Sequence, residues 1–474
     1  MKQLHHVNRR EFLKRIGAGT ALSLGAIAGC RPQQQKTTDP GTDREVPVDQ
    51  MTYRNHPTSG DKVSLLGYGC MRWPMIPAPD GDGEIIDQET VNSLVDYALA
   101  HGVNYFDTAP PYGRGMSETA TGIALSRHPR ESYLLATKMS NQSFARSGMQ
   151  GKELYQASVQ MYRDSQKYLK TDYFDYYLLH NLGGGNGIPF VNQRFFDNGL
   201  IDFLIKEREN GNIRHLGFSY HGDIKVFDYM LSLHDKYHWD FVQIQMNYVD
   251  YRHASGANFN AEYLYAELDK RGIPVVIMEP LLGGRLASLT QHLNETLQTQ
   301  RPQSSIASWA FRFAGSFPRV LTVLSGMTYL EHLQDNIRTY SPLEPCTQTE
   351  LDLLEKTAKI FVQYPSVPCT TCQYCMPCPY GLDIPGIFSH YNKCINEGYV
   401  SESSQDPNYK EARRAFLIGY DRSVPKLRQA DHCIGCGKCT PHCPQSIRIP
   451  RELRRISNYV EALKQEPHPD INHV

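Results

Sequence analysis

Asn104-Tyr105-Phe106-Asp107-Thr108-Ala109-Pro110-Pro111-Tyr112-Gly113 reads as a short apolar strand that stops at an acid and runs into a proline-stiffened loop presenting a tyrosine. A core strand gains nothing in packing from an aspartate at its tip, because a buried carboxylate needs a partner. Two later strands end in the same way. Tyr133-Leu134-Leu135-Ala136-Thr137-Lys138 stops at a lysine, and Asp175-Tyr176-Tyr177-Leu178-Leu179-His180 stops at a histidine. Polar residues at the carboxyl ends of successive strands are the pattern of a (β/α)8 barrel active site.

Working outward, the same alternation runs from residue 51 to residue 340. Strands are expected at Val63–Gly67, Asn104–Thr108, Tyr133–Lys138, Phe174–His180, Ile213–Ser219, Phe241–Asn247, Pro274–Glu279 and Val320–Ser325. Helices are expected between them, at Glu89–His101, Glu153–Leu169, Gly199–Asn210, Ile224–His234, Ala261–Arg271 and Ser304–Ala314. Their apolar residues recur three and four apart, as packing on a sheet requires. A doubly wound open sheet is the competing fold, but it carries an early glycine-rich nucleotide loop after its first strand. The run Gly183-Gly184-Gly185-Asn186-Gly187 follows the fourth strand instead and reads as a flexible loop near substrate.

Of the 474 residues, 40% are hydrophobic and the formal net charge is −1, so nothing suggests a nucleic-acid surface. Basic runs such as Lys410–Arg414 and Arg451–Arg455 read as solvated helix faces. The chain opens with Asn8-Arg9-Arg10-Glu11-Phe12-Leu13-Lys14 and a short apolar run from Ile16 to Ala28. This resembles a twin-arginine export signal. Ile27-Ala28-Gly29-Cys30 resembles a lipoprotein cleavage box, in which Cys30 carries the lipid that anchors the mature protein to a membrane. The expected location is therefore periplasmic or membrane-anchored. The organisation read from the sequence is a signal at 1–30, a flexible linker at 31–50, a barrel at 51–340, a connection at 341–364, a cysteine-rich domain at 365–456 and a tail at 457–474.

The barrel residues suggest a chemistry. A lysine facing an aspartate pairs with it, and a tyrosine near that lysine has its phenolate form favoured by the positive charge. Such a tyrosine can act as a general acid at neutral pH, with a histidine beside it steering the substrate oxygen. Asp107, Tyr112, Lys138 and His180 thus form a proton-donating pocket aimed at a carbonyl.

Nine of the 12 cysteines lie between 369 and 443. A secreted disulfide scaffold would spread them among its loops. Cys369, Cys372, Cys375 and Cys378 come at two-residue intervals, and Cys433, Cys436, Cys439 and Cys443 follow in the bacterial ferredoxin pattern. In paired motifs of this kind the fourth cysteine usually serves the other cluster. Zinc is the competing metal for any four-cysteine set, but runs closing in Cys-Pro are typical of iron–sulfur. Cys394 is an alternative ligand or a buried thiol, and the thiol is favoured. The apolar stretches Tyr380–Pro385 and Ile447–Pro450 stand where ferredoxin-like domains fold over a cubane.

On Gly67-Tyr68-Gly69-Cys70-Met71, Phe106-Asp107-Thr108-Ala109 with Tyr112-Gly113, Thr137-Lys138 and Asp175-Tyr176 through His180, the chain resembles the aldo-keto reductases over residues 51 to about 340. With Met278-Glu279-Pro280-Leu281 and Gly283-Gly284-Arg285-Leu286, the cysteine motifs resemble the branch carrying a C-terminal 4Fe-4S domain. The resemblance implies a TIM barrel followed by a small, mainly helical ferredoxin-type domain with two [4Fe-4S] clusters. It implies a catalytic tetrad of Asp107, Tyr112, Lys138 and His180, with Tyr112 as proton donor. It also implies a nicotinamide cofactor, NADP or NAD, held by Gly69, Met71, Ser219, Gln243, Asn247, Met278, Leu281, Ser325, Gly326 and Asn336. Three departures matter: Met278 stands where the family often has a tyrosine, Tyr220 where it has an asparagine, and Gly326 and His332 where it has a phosphate-clamping Lys and Arg.

The expected function is an exported oxidoreductase acting on a small-molecule carbonyl or alcohol, with an electron-transfer partner protein conceivable. A hydride carries two electrons and each cluster passes one, so direct wiring between them is not assumed. Two rivals stand beside it: a ferredoxin-like electron-transfer subunit with a non-catalytic barrel, and a metabolite-binding lipoprotein.

Overall fold

The computed structural model describes residues 45–465, apart from 82, 185, 186, 257 and 402. The signal at 1–30, Cys30, linker residues 31–44 and the tail from 466 lie outside the described residues, as do Gly185 and Asn186 of the glycine-rich loop.

Eight parallel strands close into the barrel that the alternation predicts. They are β1 (Leu66–Gly69), β2 (Tyr105–Asp107), β3 (Leu134–Met139), β4 (Phe174–Leu182), β5 (Ile213–Tyr220), β6 (Phe241–Gln245), β7 (Val275–Met278) and β8 (Val320–Ser325). Each pairs in parallel with its neighbour in sequence, and β8 closes on β1 through Leu324 opposite Gly67. Tyr105, Ala136, Tyr176, Leu178 and Phe241 pack together inside the barrel. The next residues along, Phe106, Tyr177 and Leu179, join the outer core between strands and helices. That alternation is the period of two of a strand buried on both faces.

The run expected as one strand at Val63–Gly67 is broken in two. Lys62–Ser64 pairs antiparallel with Tyr53–Asn55, and Val63 packs into the interior cluster from that hairpin. Ser64 causes the break: its hydroxyl donates to the Leu66 carbonyl at 2.7 Å, and its backbone N–H donates to Asn104 Oδ1 at 2.8 Å. The chain bends there, and the barrel strand begins only at Leu66.

The outer helices form where the spacing indicates. Gln88–Ala100 buries Val91, Leu94, Val95 and Ala98 along one stripe, and Asp87 caps it by accepting from Thr90 N. The helix expected at Ile224–His234 divides at Leu233 into Ile224–Ser232 and His234–Tyr237. Helices at Ser117–Leu125, Gln291–Gln300 and Leu330–Tyr340 were not anticipated. The first has a glycine inside it, which weakens the sequence signal. Gly122 is there because a Cβ would stand 2.2 Å from the Tyr168 carbonyl oxygen of the neighbouring helix.

The connection at 341–364 belongs to the barrel's packing. Its helix Gln348–Phe361 starts in a capping box of Thr347 and Glu350 and buries Leu354, Ala358 and Phe361 in the outer core. Val46, from the stretch expected to be a flexible linker, also packs against that core. A second core follows, built by helices Ile384–Asn396, Tyr409–Ser423 and Ile449–Gln465. The last helix runs through the boundary expected at 456, with Val460 and Leu463 buried in that core. Among the described residues no helix is long and apolar enough to cross a membrane.

Candidate active site

Strand alternation carries Asp107, Lys138 and His180 to the inner rim. Each follows, two residues on, a residue of the interior cluster: Tyr105, Ala136 and Leu178. Lys138 Nζ donates to Asp107 Oδ1 at 2.5 Å and to the Thr108 carbonyl at 2.7 Å. Lys138 is 0% and Asp107 2% exposed, so the pair is sealed from water. Burial pushes the Asp107 carboxyl up and the Lys138 ammonium down, while each one's charge restrains the other's shift. Asp107 Oδ2 is buried without a hydrogen-bond partner.

Tyr112 is buried, with the Lys138 ammonium 4.7 Å from its ring centre and the His180 ring 6.0 Å away edge-on. The expectation that the lysine favours the phenolate is corrected here. Burial pushes the Tyr112 phenol well above its ordinary value, followed by the effects of Tyr374 and Asp107. The lysine's charge is taken up by Asp107, so Tyr112 keeps its proton. His180 is pushed well below the ordinary histidine value, first by burial and then by the charge of Lys138, and is neutral at pH 7. Its Nδ1 lies 2.5 Å from Ser140 Oγ. With that hydroxyl donating, the ring proton stands on Nε2, the nitrogen left for a substrate oxygen.

The residues expected to hold nicotinamide sit on the other half of the rim. Gly69 ends β1 and Met71 lies in the turn after it; Ser219 lies on β5, Gln243 on β6, Met278 ends β7 and Ser325 ends β8. Leu281 and Gly326 follow the last two, and Asn336, on helix Leu330–Tyr340, donates to Ser325 Oγ at 2.9 Å. Gln243 is buried and its Oε1 has no partner, while Ser219 Oγ accepts from the Asn181 N–H at 2.9 Å and keeps its own proton to give. One free acceptor beside one free donor suits a carboxamide, so the residues fit the cofactor. Asn247 is different. Its amide donates to Asp250 Oδ2 and the Glu279 carbonyl, and its oxygen accepts from Val249 N and Asp250 N. Asn247 is spent on shaping its own loop. Gly326 lies under the Arg72 side chain, where a Cβ would stand 3.0 Å from Arg72 Cδ, and His332 is exposed.

Cys369, Cys372, Cys375 and Cys443 line one hollow of about 320 Å³ with Ile384, Pro385, Phe388, Ile447 and Ile449. Three cysteines of the first motif and the last of the second thus share a wall of apolar residues, the donor set and the dry shell of a cubane cluster. Cys439 has Cys433 and Cys378 as its neighbours, the reciprocal arrangement. Cys394 is buried beside His390 Nε2, 3.4 Å away, and does not line the hollow. Among the described residues no three His, Cys, Asp or Glu side chains gather closely enough to hold a single metal ion.

Four residues were not anticipated. Ser140 had a signal, since it follows Lys138 by two on the same strand face. Arg194 is fully buried and donates to the carbonyls of His180 and Asn181 and to Asn141 Oδ1, fixing the end of β4. His221, just past β5, has a buried Nδ1 without a partner, and burial pushes its ring down to about 4. Tyr374 is hidden in sequence by the cysteines around it.

The barrel, the buried Lys–Asp pair and the adjoining tyrosine and histidine define a carbonyl-reductase type of site. Residues 66–358 match the model of the aldo/keto reductase family, and the chain belongs to that family. Residues 368–449 match the 4Fe-4S dicluster domain. Protein tas of Escherichia coli (strain K12) is 31% identical over 208 residues, which are 40% of this chain and 57% of that protein. A probable aldo-keto reductase 1 of Glycine max is 28% identical over 164 residues, 34% of this chain and 43% of the relative. The chain thus spans about half the length of these two curated relatives. The solved holo form of aldo-keto reductase AKR11C1 from Bacillus halodurans shares the fold, with TM-score 0.50 and 23% identity over 65% of this chain and 96% of that one.

Proposed function

We propose that this protein is an exported oxidoreductase that moves a hydride between a nicotinamide cofactor and a small carbonyl or alcohol, with Tyr112 as proton donor. The observation that carries this reading is the convergence of Tyr112 and His180 on Lys138, itself bonded to Asp107. A binding module has no use for a sealed ion pair behind a protonated phenol. Tyr112 holds the proton at its hydroxyl and releases it to the substrate oxygen. Lys138 stabilises the phenolate left behind, and Asp107 fixes Lys138 by taking its hydrogen bond. Neutral His180 donates from Nε2 to orient the same oxygen. The nicotinamide, when bound, supplies or accepts the hydride; Ser219 and Gln243 orient its carboxamide. With no Lys or Arg at Gly326 and His332, preference for NADP over NAD is weak.

The cysteine segment is read as holding two [4Fe-4S] clusters, one on Cys369, Cys372, Cys375 and Cys443 and one on Cys433, Cys436, Cys439 and Cys378. Bound clusters supply one-electron chemistry, which suits an electron-transfer partner protein. Twin-arginine export, with Cys30 as the lipid anchor, suits a protein that leaves the cytoplasm with cofactors installed.

The test is anaerobic purification of the full chain, with iron, sulfide and nucleotide counted, followed by cofactor-dependent reduction of a panel of aldehydes and ketones. Tyr112→Phe is expected to lower kcat by about 10²–10⁴-fold with the fold intact. Unchanged turnover in that variant removes the reductase reading. Cell fractionation of Cys30→Ala, expected to leave the membrane fraction, checks the anchor.

A further inference from the structure

The loop carrying the first three cysteines is pressed onto the barrel rim. Arg72, in the turn after β1, donates to the Thr370 carbonyl. Gly283, in the turn after β7, lies against Thr370 with φ +70, and a Cβ there would stand 2.3 Å from the Thr370 Cα. Gln445, two residues past Cys443, donates to Gln245 Oε1 at the end of β6 at 3.0 Å and accepts from Asn258 at 2.6 Å. Held on these sides, the loop turns the side chain between Cys372 and Cys375 towards the tetrad. That side chain is Tyr374, and its phenol meets the phenol of Tyr112 side chain to side chain within hydrogen-bonding reach.

From this geometry we propose that Tyr374 is a positioning residue of the carbonyl site, which aligns the Tyr112 hydroxyl and makes the iron–sulfur segment one wall of the reaction centre. The inference rests on the reading of Tyr112 as the proton donor. The argument is one of constraint. Tyr112 sits on the loop after β2, in a short turn where Gly113 and Arg114 take positive φ. The tetrad offers Tyr112 a cation against its ring and a histidine edge, but neither fixes the direction of its O–H. A second phenol does, because a hydroxyl carries one donor and two acceptor positions. Tyr374 can fulfil this role only while Cys372 and Cys375 hold the loop on their cluster. Loss of that cluster therefore misplaces the proton donor without touching the barrel.

The experiment uses the anaerobically reconstituted full chain, with 4-nitrobenzaldehyde and NADPH as probes. Tyr374→Phe keeps the ring and removes the hydroxyl. It is expected to lower kcat at least about 10-fold while KM changes less than about 2-fold and iron content stays at the wild-type value. Tyr380→Phe, an exposed tyrosine of the same segment, is expected to change neither constant. Hydrogen–deuterium exchange of the 109–116 peptide is expected to quicken in Tyr374→Phe and not in Tyr380→Phe. Wild-type kcat, or wild-type exchange in that peptide, in an iron-replete Tyr374→Phe protein overturns the proposal. If wild type does not turn the aldehyde over, the exchange measurement alone decides whether Tyr374 fixes Tyr112, and the failure belongs to the reductase reading.

Discussion

Gly283 lies so close to Thr370 that a β-carbon on it would stand 2.3 Å from the threonine Cα, and its φ of +70 already favours glycine. The contact joins the turn after β7 to the residue following the first cluster cysteine. Gly283→Ala is therefore doubly unfavourable: strained in its own backbone and in collision with backbone that cannot swing aside. The expected outcome is a folded barrel with depleted iron, seen as retained far-ultraviolet circular dichroism beside reduced absorbance near about 400 nm. Full iron in that variant would show that the loop is not seated on this turn.

The buried pair of Lys138 and Asp107 makes a second prediction. Lys138→Met leaves a carboxylate without water or cation, and such losses cost about 3–5 kcal/mol. Adding Asp107→Asn to Lys138→Met removes the orphaned charge. The double variant is expected to melt higher than Lys138→Met alone while remaining as inactive. Equal melting of the single and the double variant would mean that the carboxyl simply takes a proton when the lysine is gone.

The exchange of fourth cysteines between motifs is testable one ligand at a time. Cys443→Ser is expected to disturb the cluster held by Cys369, Cys372 and Cys375, whose hollow it shares. Cys378→Ser is expected to disturb the other. Reduced electron paramagnetic resonance spectra of Cys443→Ser and Cys372→Ser should then lose the same component, and Cys378→Ser a different one. Matching losses in Cys378→Ser and Cys372→Ser would restore the simple pairing by motif.

Glu350 fastens the helix Gln348–Phe361 to the barrel through Arg312 and Arg301. Partial burial raises its pKa, but bonds from Arg312, the Thr347 N–H and Arg301 outweigh that and hold it at about 2. A folded-state pKa below the unfolded one adds stability that is fully present above about pH 4.5 and is lost as pH falls towards 2. Glu350→Gln should melt several degrees below wild type at pH 7, and the two melting curves should converge as pH approaches 2. A gap that persists at low pH would assign the effect to packing rather than charge.

Period-two and period-3.6 patterning, with a polar residue closing each of β2, β3 and β4, was enough to read the closed barrel and to nominate Asp107, Tyr112, Lys138 and His180. These signals are local, because the strand itself dictates which face each residue takes. The two cysteine runs were legible for the same reason, since ligand spacing is a property of a short loop. Where local signals compete, reading failed: Ser64 cuts an apolar run in two through side-chain bonds to Leu66 and Asn104, and Gly122 hides a helix. Asn247 looked like a ligand and is consumed by its own loop. The protonation of Tyr112 also went the other way, because burial and the diversion of the Lys138 charge to Asp107 depend on everything packed around them. The sequence by itself determined a barrel, a tetrad and a cluster-binding segment. Only the tertiary structure decided that the segment folds back on the rim and brings Tyr374 to Tyr112, because that contact joins residues more than half the chain apart and is set by backbone fit at Gly283, Arg72 and Gln245, which no periodicity encodes.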